Sequence, residues 1–461
     1  MKKVNRNRWG LLTFALVTAI SLTACGSGSG NSNEKEQTGA GNGNTTTPTE
    51  VIEIVAWDKP HADEPFKAHM DQVHADFEKE YPNIKVTHME QTRGQEREQL
   101  MTAVAGNEQP DIINVSFPSM EVYIQQGIAA DVTELWNNYE EKDKYITGAL
   151  DAATVDGKIY GTPNDMYAAG LYYNKTLFTE AGLDPNSPPT TWDEFVDVAK
   201  KIHNPDKGIN GFDILGMDWA DWHFEYYVWG AGGDLTNRKD NGEVELTFTS
   251  DAAVQALQYY KDLKWTHQVT QKNVVQSLDD NQKDFYTGKA AMIIGDSNSY
   301  GQFVSKGMDP DSIGFAPLPA GPSGTAPTQV GGSYWIFNPK ASPEKLEAAF
   351  TYFKYISSKE VMESIFEAKS EFGSVGALSV RSDIDMTKYV EDLPQDIVEN
   401  IQKAAATPHL EYFLKDRLSP YVVTAIQKIL VSSDADPAVE LKKAQELAQK
   451  EVADPYNASL Q

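Results

Sequence analysis

Within eleven residues the chain places Trp219, Trp222, Phe224, Tyr226, Tyr227 and Trp229, with Gly230-Ala231-Gly232-Gly233-Asp234 after them and Asp218 and Asp221 among them. Flat apolar rings stack on the C–H faces of pyranose sugars, and carboxylates beside them accept hydrogen bonds from the hydroxyls. The segment is read as carbohydrate-binding chemistry. Large aromatics bury most of their area whatever their role, so about half of these rings are expected to be helix core. Trp222 and Trp229 are the two expected to face a ligand. Asp218 and Asp221 fit equally a helix N-cap and a solvated turn.

Other chemistries have less support. A glycosidase needs two carboxylates about 5–10 Å apart across a sugar, and the chain has acids enough to leave that open. It has no Gly-x-Ser-x-Gly elbow, no His-Glu-x-x-His and no phosphate-loop motif. His69 and His74 are five apart, off a common helical face, so they do not suggest zinc. A metal receptor would gather Tyr, His and carboxylates; tyrosine is abundant at 21, but no convergent histidine cluster is visible.

The elements that must carry these residues alternate. Val51–Trp57 reads as a strand, 66–81 as a helix stopped by Pro82, and Ile84–Met89 as a second strand. A helix follows over Glu96–Ala105, a third strand over Asp111–Val115 and a helix over Met120–Gln126. That order predicts an α/β domain with a largely parallel sheet. Ligands of such sheets lie beyond the carboxyl ends of the strands. Asp58 and Lys59, and Ser116 and Phe117 with Pro118 and Ser119, are thereby expected at the rim of a cleft.

The start of the chain speaks of export. Lys2, Lys3, Arg6 and Arg8 precede an apolar run over 9–20, and Leu22-Thr23-Ala24-Cys25 ends in the chain's one cysteine. A basic start, a short apolar run and small residues before a cut site make a secretory signal, too short to span a bilayer comfortably. Residues 26–49 are mostly Gly, Ser, Asn, Thr and Gln, the composition of a flexible tether with a reach of about 27 Å. The remaining 412 positions suit two domains. The whole chain carries −27 and residues 1–24 hold four basic and no acidic side chains, so the remainder carries −31. So acidic a body repels nucleic acid and anionic lipid.

Leu22-Thr23-Ala24-Cys25 resembles the lipobox of bacterial lipoproteins, which implies cleavage after residue 24 and lipidation of Cys25. Further on, Ala105-Gly106-Asn107-Glu108-Gln109-Pro110-Asp111-Ile112 and Asp156-Gly157-Lys158-Ile159-Tyr160-Gly161-Thr162-Pro163 resemble motifs of the family 1 extracellular solute-binding proteins, the maltose-binding-protein-like group. Leu171-Tyr172-Tyr173-Asn174-Lys175, Pro188-Pro189-Thr190-Thr191-Trp192-Asp193-Glu194-Phe195, 285–295 and 313–319 continue that likeness in order.

The resemblance implies a two-lobed α/β periplasmic-binding-protein fold (type II, Venus-flytrap), each lobe discontinuous in sequence. The expected division is a signal peptide over 1–24, lipidated Cys25 and linker over 25–49, one lobe from 50–162 with 317–371, and the other from 163–316 with 372–461. Chain crossings are expected near Thr162-Pro163, Ala316-Pro317 and Phe372-Gly373. It also implies ligand contacts from Asp165, Met166 and Tyr167; from Asp296, Ser297 and Asn298; and from Gly331, Gly332, Ser333, Tyr334 and Trp335, the glycine pair bringing bare backbone to the ligand. Lys59 and Glu371 are further polar candidates. Val115 stands where some maltose binders carry an aromatic, which argues against maltodextrin specificity.

The function so implied is capture of a carbohydrate, an oligosaccharide, for a membrane permease of an ABC importer. The chain would act as a monomer, held to the outer face of the cell membrane by its lipid alone. No nucleic acid, metal or cofactor is called for. A glycan-acting enzyme and a metal receptor of related fold are the alternatives.

Overall fold

The computed structural model describes residues 51–59, 64–92, 95–146, 149–217, 219–239, 241–371, 378–390, 393–406 and 408–460. The leader, Cys25, the linker, Asp218 and Phe372-Gly373 lie outside the described residues. The alternating pattern at the start forms the expected elements: strand β1 Ile52–Asp58, helix Glu64–Glu80, β2 Ile84–Glu90, helix Glu96–Gly106, β3 Ile112–Ser116 and helix Met120–Gln125. β1 pairs in parallel with both β2 and β3.

The later strands are β4 Thr162–Asn174, β5 Met292–Asp296, β6 Ile313–Ala316, β7 Thr328–Phe337 and β8 Pro408–His409. The main path through the sheet runs β6-β4-β7-β3-β1-β2, with β5 also on β4 and β8 on β7. β7 is antiparallel to both β3 and β4.

Strand β4 is what ties two bodies together. From Thr162 to Ala168 it pairs with β7; from Ala169 it pairs with β5, and from Leu171 with β6. Its residues 164–167 are only half-buried, while those on both sides are buried. That midpoint lies between two separate cores. Around β1, β2, β3 and the end of β7, one sheet face holds Phe77, Trp136, Phe337, Tyr352 and Phe353, and the other Leu100, Met120, Tyr123 and Ile336. Around the second half of β4, one face packs Phe195, Phe224, Tyr260, Leu418 and Ile426, and the other Phe285, Ile293, Phe303 and Ile397. Adjacent residues alternate faces as pleating demands: Leu171 and Tyr173 point one way, Tyr172 the other.

The pairing also positions the other crossings. After Ala316 the loop stays with the second core: Ala320 N donates to Thr190 O at 2.8 Å and Ser323 N to Gly230 O at 3.0 Å. β7 then pairs with β8 at Thr328 and Gln329 and reaches β3 only from Ser333 onward. Val380 and Ile384 pack in the first core, Ile397 and Ile401 in the second.

Candidate functional site

A cavity of about 560 Å³ opens between the two bodies. One wall comes from the carboxyl ends of the parallel strands and the helix after β2: Lys59, Gln91, Arg97, Asn114, Val115, Ser116 and Ser119. The opposite wall comes from Trp219 and Asp221 and, much later in the chain, from Glu411, Lys415 and Asp416; Tyr167 of β4 contributes between them. This is the strand-end location that parallel sheets offer to ligands.

Two backbone features build the second wall. Trp219 and Leu414 each sit in the left-handed region, at φ 66° and 60°, directly before the helices Ala220–Gly230 and Lys415–Val431. For a residue with a side chain that conformation costs about 1 kcal/mol and recurs at binding sites. Here the sharp entries aim Trp219 and the first helical turns at the cavity. Trp219 is 49% exposed, with Lys415 Nζ 5.6 Å from its ring centroid.

Behind the ring lies a buried charge cluster. Lys415 Nζ is 2.7 Å from Glu411 Oε1 and 4.0 Å from Glu225 Oε1. Asp221 Oδ2 accepts from Tyr412 OH at 2.6 Å. Burial pushes the Glu225 carboxyl well up and the Glu411 carboxyl up, with Lys415 opposing in both. The same carboxylates hold the Lys415 ammonium above its ordinary value against its burial. On the facing wall Asn114 is buried, and neither atom of its amide has a partner among the described residues.

The two walls touch. Ser119 Oγ donates to Asp416 Oδ2 at 2.7 Å, and Arg238 pairs with Glu121. A second cavity of about 330 Å³ shares Glu411 and is lined by Phe117, Arg238, Val330 and Phe413.

Of the residues singled out from sequence, Lys59, Val115, Ser116, Ser119, Tyr167, Trp219 and Asp221 line the first cavity and Phe117 the second. The others lie elsewhere. Asp58 Oδ1 accepts from Lys59 N at 2.7 Å and Asp58 lines neither cavity. Trp222 is buried, its Nε1 donating to Gln329 Oε1. Trp229 is 2% exposed and stacks on His409, centroids 4.1 Å apart. The expectation for these two rings is corrected: every residue of the helix Ala220–Gly230 is buried, and of its side chains only Asp221 lines either cavity.

Asp165 accepts from Ser333 Oγ, which also takes Asn164 Nδ2 at 3.0 Å; Trp335 Nε1 donates to Asn164 Oδ1 at 2.9 Å. Tyr334 OH donates to Ala149 O at 2.7 Å. Ser333, Tyr334 and Trp335 are buried because β7 is a central strand, and Met166 packs on the first core. The glycine pair serves packing within the strands. A Cβ on Gly331 would lie 2.3 Å from Tyr167 Cζ, and one on Gly332 2.0 Å from Asp165 O.

Asp296 accepts from Asn298 N at 2.9 Å and Ser299 Oγ at 3.0 Å, and Ser297 Oγ accepts from Ala168 N at 3.2 Å. With Asn298 they close the end of β5 on β4 and line neither cavity. Glu371 is exposed at the end of its helix. The acids and lysine of 411–416 went unread because Glu411 and Lys415, four apart, look in sequence like a solvated helical ion pair.

Residues 58–363 match the family of bacterial extracellular solute-binding proteins. The chain belongs to that family. Among relatives of this solute-binding protein is the sn-glycerol-3-phosphate-binding periplasmic protein UgpB of Brucella melitensis, 28% identical over 248 residues, 52% of this chain and 54% of that one. The chain spans between 54% and 62% of the length of the first curated relatives it matches. Solved structures of similar fold include a Thermotoga lettingae ABC transporter solute-binding protein bound with alpha-D-tagatose (TM-score 0.72, 22% identity, covering 89% of this chain and 100% of that one). Maltose-bound MalE3 of T. maritima has a TM-score of 0.71 at 25% identity, covering 86% and 100%. The fold is thus the two-lobed one with discontinuous lobes, and its family is one of binding proteins. No helix among the described residues is long and apolar enough to cross a membrane.

Proposed function

We propose that this protein captures a carbohydrate, an oligosaccharide, between its lobes and delivers it to the permease of an ABC importer, without catalysis. The observation that carries the reading is the cavity. A half-exposed tryptophan lines the cavity with buried carboxylates on one lobe, and from the other a buried amide faces them that has no partner among the described residues. A stacking platform with convergent hydrogen-bonding groups is what a sugar needs. Its volume falls within the range of about 300–1,000 Å³ typical of small-molecule sites. The tagatose and maltose bound in structures of the same fold support the class of ligand.

The hinge is assigned to the midpoints of β4 and β7, where each strand exchanges partners between the two cores. A ligand that touches both walls stabilises the closed arrangement by its differential affinity for the two states and by no more. Ser119–Asp416 and Glu121–Arg238 form only on closure in this scheme. The leader and Cys25 would export the monomeric protein and tether it by lipid to the outer face of the membrane.

The test is a titration of the purified chain with mono- and oligosaccharides, following intrinsic tryptophan fluorescence. A saturable change for one glycan class is expected, since Trp219 lies half-exposed at the cavity. Silence across the panel, from protein shown to be folded, would overturn the carbohydrate reading.

A further inference from the structure

The charges around the first cavity are unequal between the lobes. On one wall Lys59 and Arg97 are offset by Glu96 and Glu98, with Arg97 Nη1 3.6 Å from Glu98 Oε1. On the other, Asp221, Glu411 and Asp416 line the cavity and Glu225 lies behind them, against the single ammonium of Lys415. Four carboxylates facing one lysine leave a formal excess of three negative charges. Asp221, Glu225, Glu411 and Lys415 are nearly or fully buried, where such an excess is relieved either by protonating a carboxylate or by a cation.

The cluster has unfilled capacity as well as unbalanced charge. Glu225 Oε1 has no hydrogen-bond partner among the described residues, its contact with Lys415 being a long 4.0 Å. Across the cavity the buried Asn114 leaves a donor and an acceptor unused, which marks the space between as a place for a polar ligand. Trp219 lines the same cavity as Asp221 and Glu411, with the Glu411-paired ammonium of Lys415 5.6 Å from its ring centroid, so a sugar ring stacked there would bring its substituents to this charged wall.

From this we infer that the glycan taken by this cavity is an amino sugar, its protonated amine seated against Asp221 and Glu411. The inference rests on the carbohydrate reading and narrows it. An ammonium offsets the excess charge and donates up to three hydrogen bonds to carboxylate oxygens. A neutral hydroxyl at the same position donates one and leaves the charge as it was. An N-acetyl group removes the charge and adds bulk. A phosphate or uronate adds a like charge to a wall that already carries too many. Burial is the main cause of the upward push on the Glu225 and Glu411 carboxyls, and the neighbouring carboxylates add to it.

The test is calorimetric titration of the purified chain with glucosamine, galactosamine and their β-1,4-linked disaccharides. Each is set against its hydroxyl and N-acetyl counterparts, and glycerol 3-phosphate and glucuronate serve as anionic probes. At least one amine is expected to bind roughly tenfold or more tighter than both counterparts, the scale of one charge-assisted pair away from water. Glu411→Gln should abolish that preference, the amine losing roughly tenfold more affinity than its hydroxyl counterpart. Asp221→Asn provides the same readout should the first variant unfold.

Equal or weaker binding of every amine, tighter binding of an anion, or a preference that survives both substitutions would overturn the inference. In the first and last cases the carbohydrate reading stands. Absence of binding by any sugar, with glycerol 3-phosphate or nothing bound, would overturn both.

Discussion

Trp219 and Trp229 lie ten residues apart, and the structure gives them opposite duties that one pair of substitutions separates. Trp219 is 49% exposed at the cavity, whereas Trp229 is 2% exposed against His409. A tryptophan of about 200 Å² that is half-exposed retains about 100 Å² to cover on binding, worth about 2.5 kcal/mol at 25 cal/mol per Å². Trp219→Ala should therefore raise the Kd about 60-fold, each 1.4 kcal/mol being tenfold. Its effect on folding should stay below about 1 kcal/mol, since little buried area is lost. Trp229→Ala should do the reverse, costing about 3–5 kcal/mol of stability as a core truncation. Its remaining folded molecules should bind sugar nearly as before. Calorimetry on protein below its unfolding transition, with thermal unfolding followed by circular dichroism, reads both quantities. A Trp219→Ala protein binding within twofold of the parent would refute the assignment. So would a Trp229→Ala protein of unchanged Tm and weakened binding.

Other outcomes follow from particular contacts. Gly331→Ala would drive a methyl to within 2.3 Å of Tyr167 Cζ, so the ring must leave its place at the cavity. About 1–3 kcal/mol of stability should go with it, and affinity should fall; an unchanged Tm and Kd would show that Tyr167 has room to spare. Burial holds the His88 imidazole down to about 4 against an ordinary 6.5. The unfolded chain therefore takes up this proton first, and stability should decline as pH falls from 6.5 towards 4, by up to about 2 kcal/mol from this group. Urea unfolding at several pH values should show a shallower decline for His88→Asn, and identical slopes would remove His88 as a cause. Cys25→Ser should release the protein from the membrane or leave its leader uncut, and palmitate labelling that persists in the variant would refute the lipid anchor.

The sequence determined the elements whose signals are local. The alternation of Val51–Trp57 and the period-3.6 stretch over 66–81 became β1 and its following helix within two residues, because each buries a single continuous face. The rim residues Lys59, Ser116 and Ser119 followed from them, since a parallel strand's carboxyl end is a position that chain order alone supplies. The family was legible too, in a run of motifs whose spacing survives across residues 58–363.

What the tertiary structure decided was which faces remain open. A segment of six aromatics reads as a platform, yet every residue of the helix Ala220–Gly230 is buried, so of the six rings only Trp219, just outside it, lines the first cavity. Gly331 and Gly332 looked like an approach to ligand and are spaces filled by Tyr167 and the backbone of Asp165. Glu411, Lys415 and Asp416 come to face Asp221 from about 190 residues away. No periodicity records that meeting, because it depends on where the chain returns to the second core after leaving the first. Local sequence sets what each segment buries; only the packed whole leaves Trp219 half-exposed and the side-chain amide of Asn114 without a partner among the described residues.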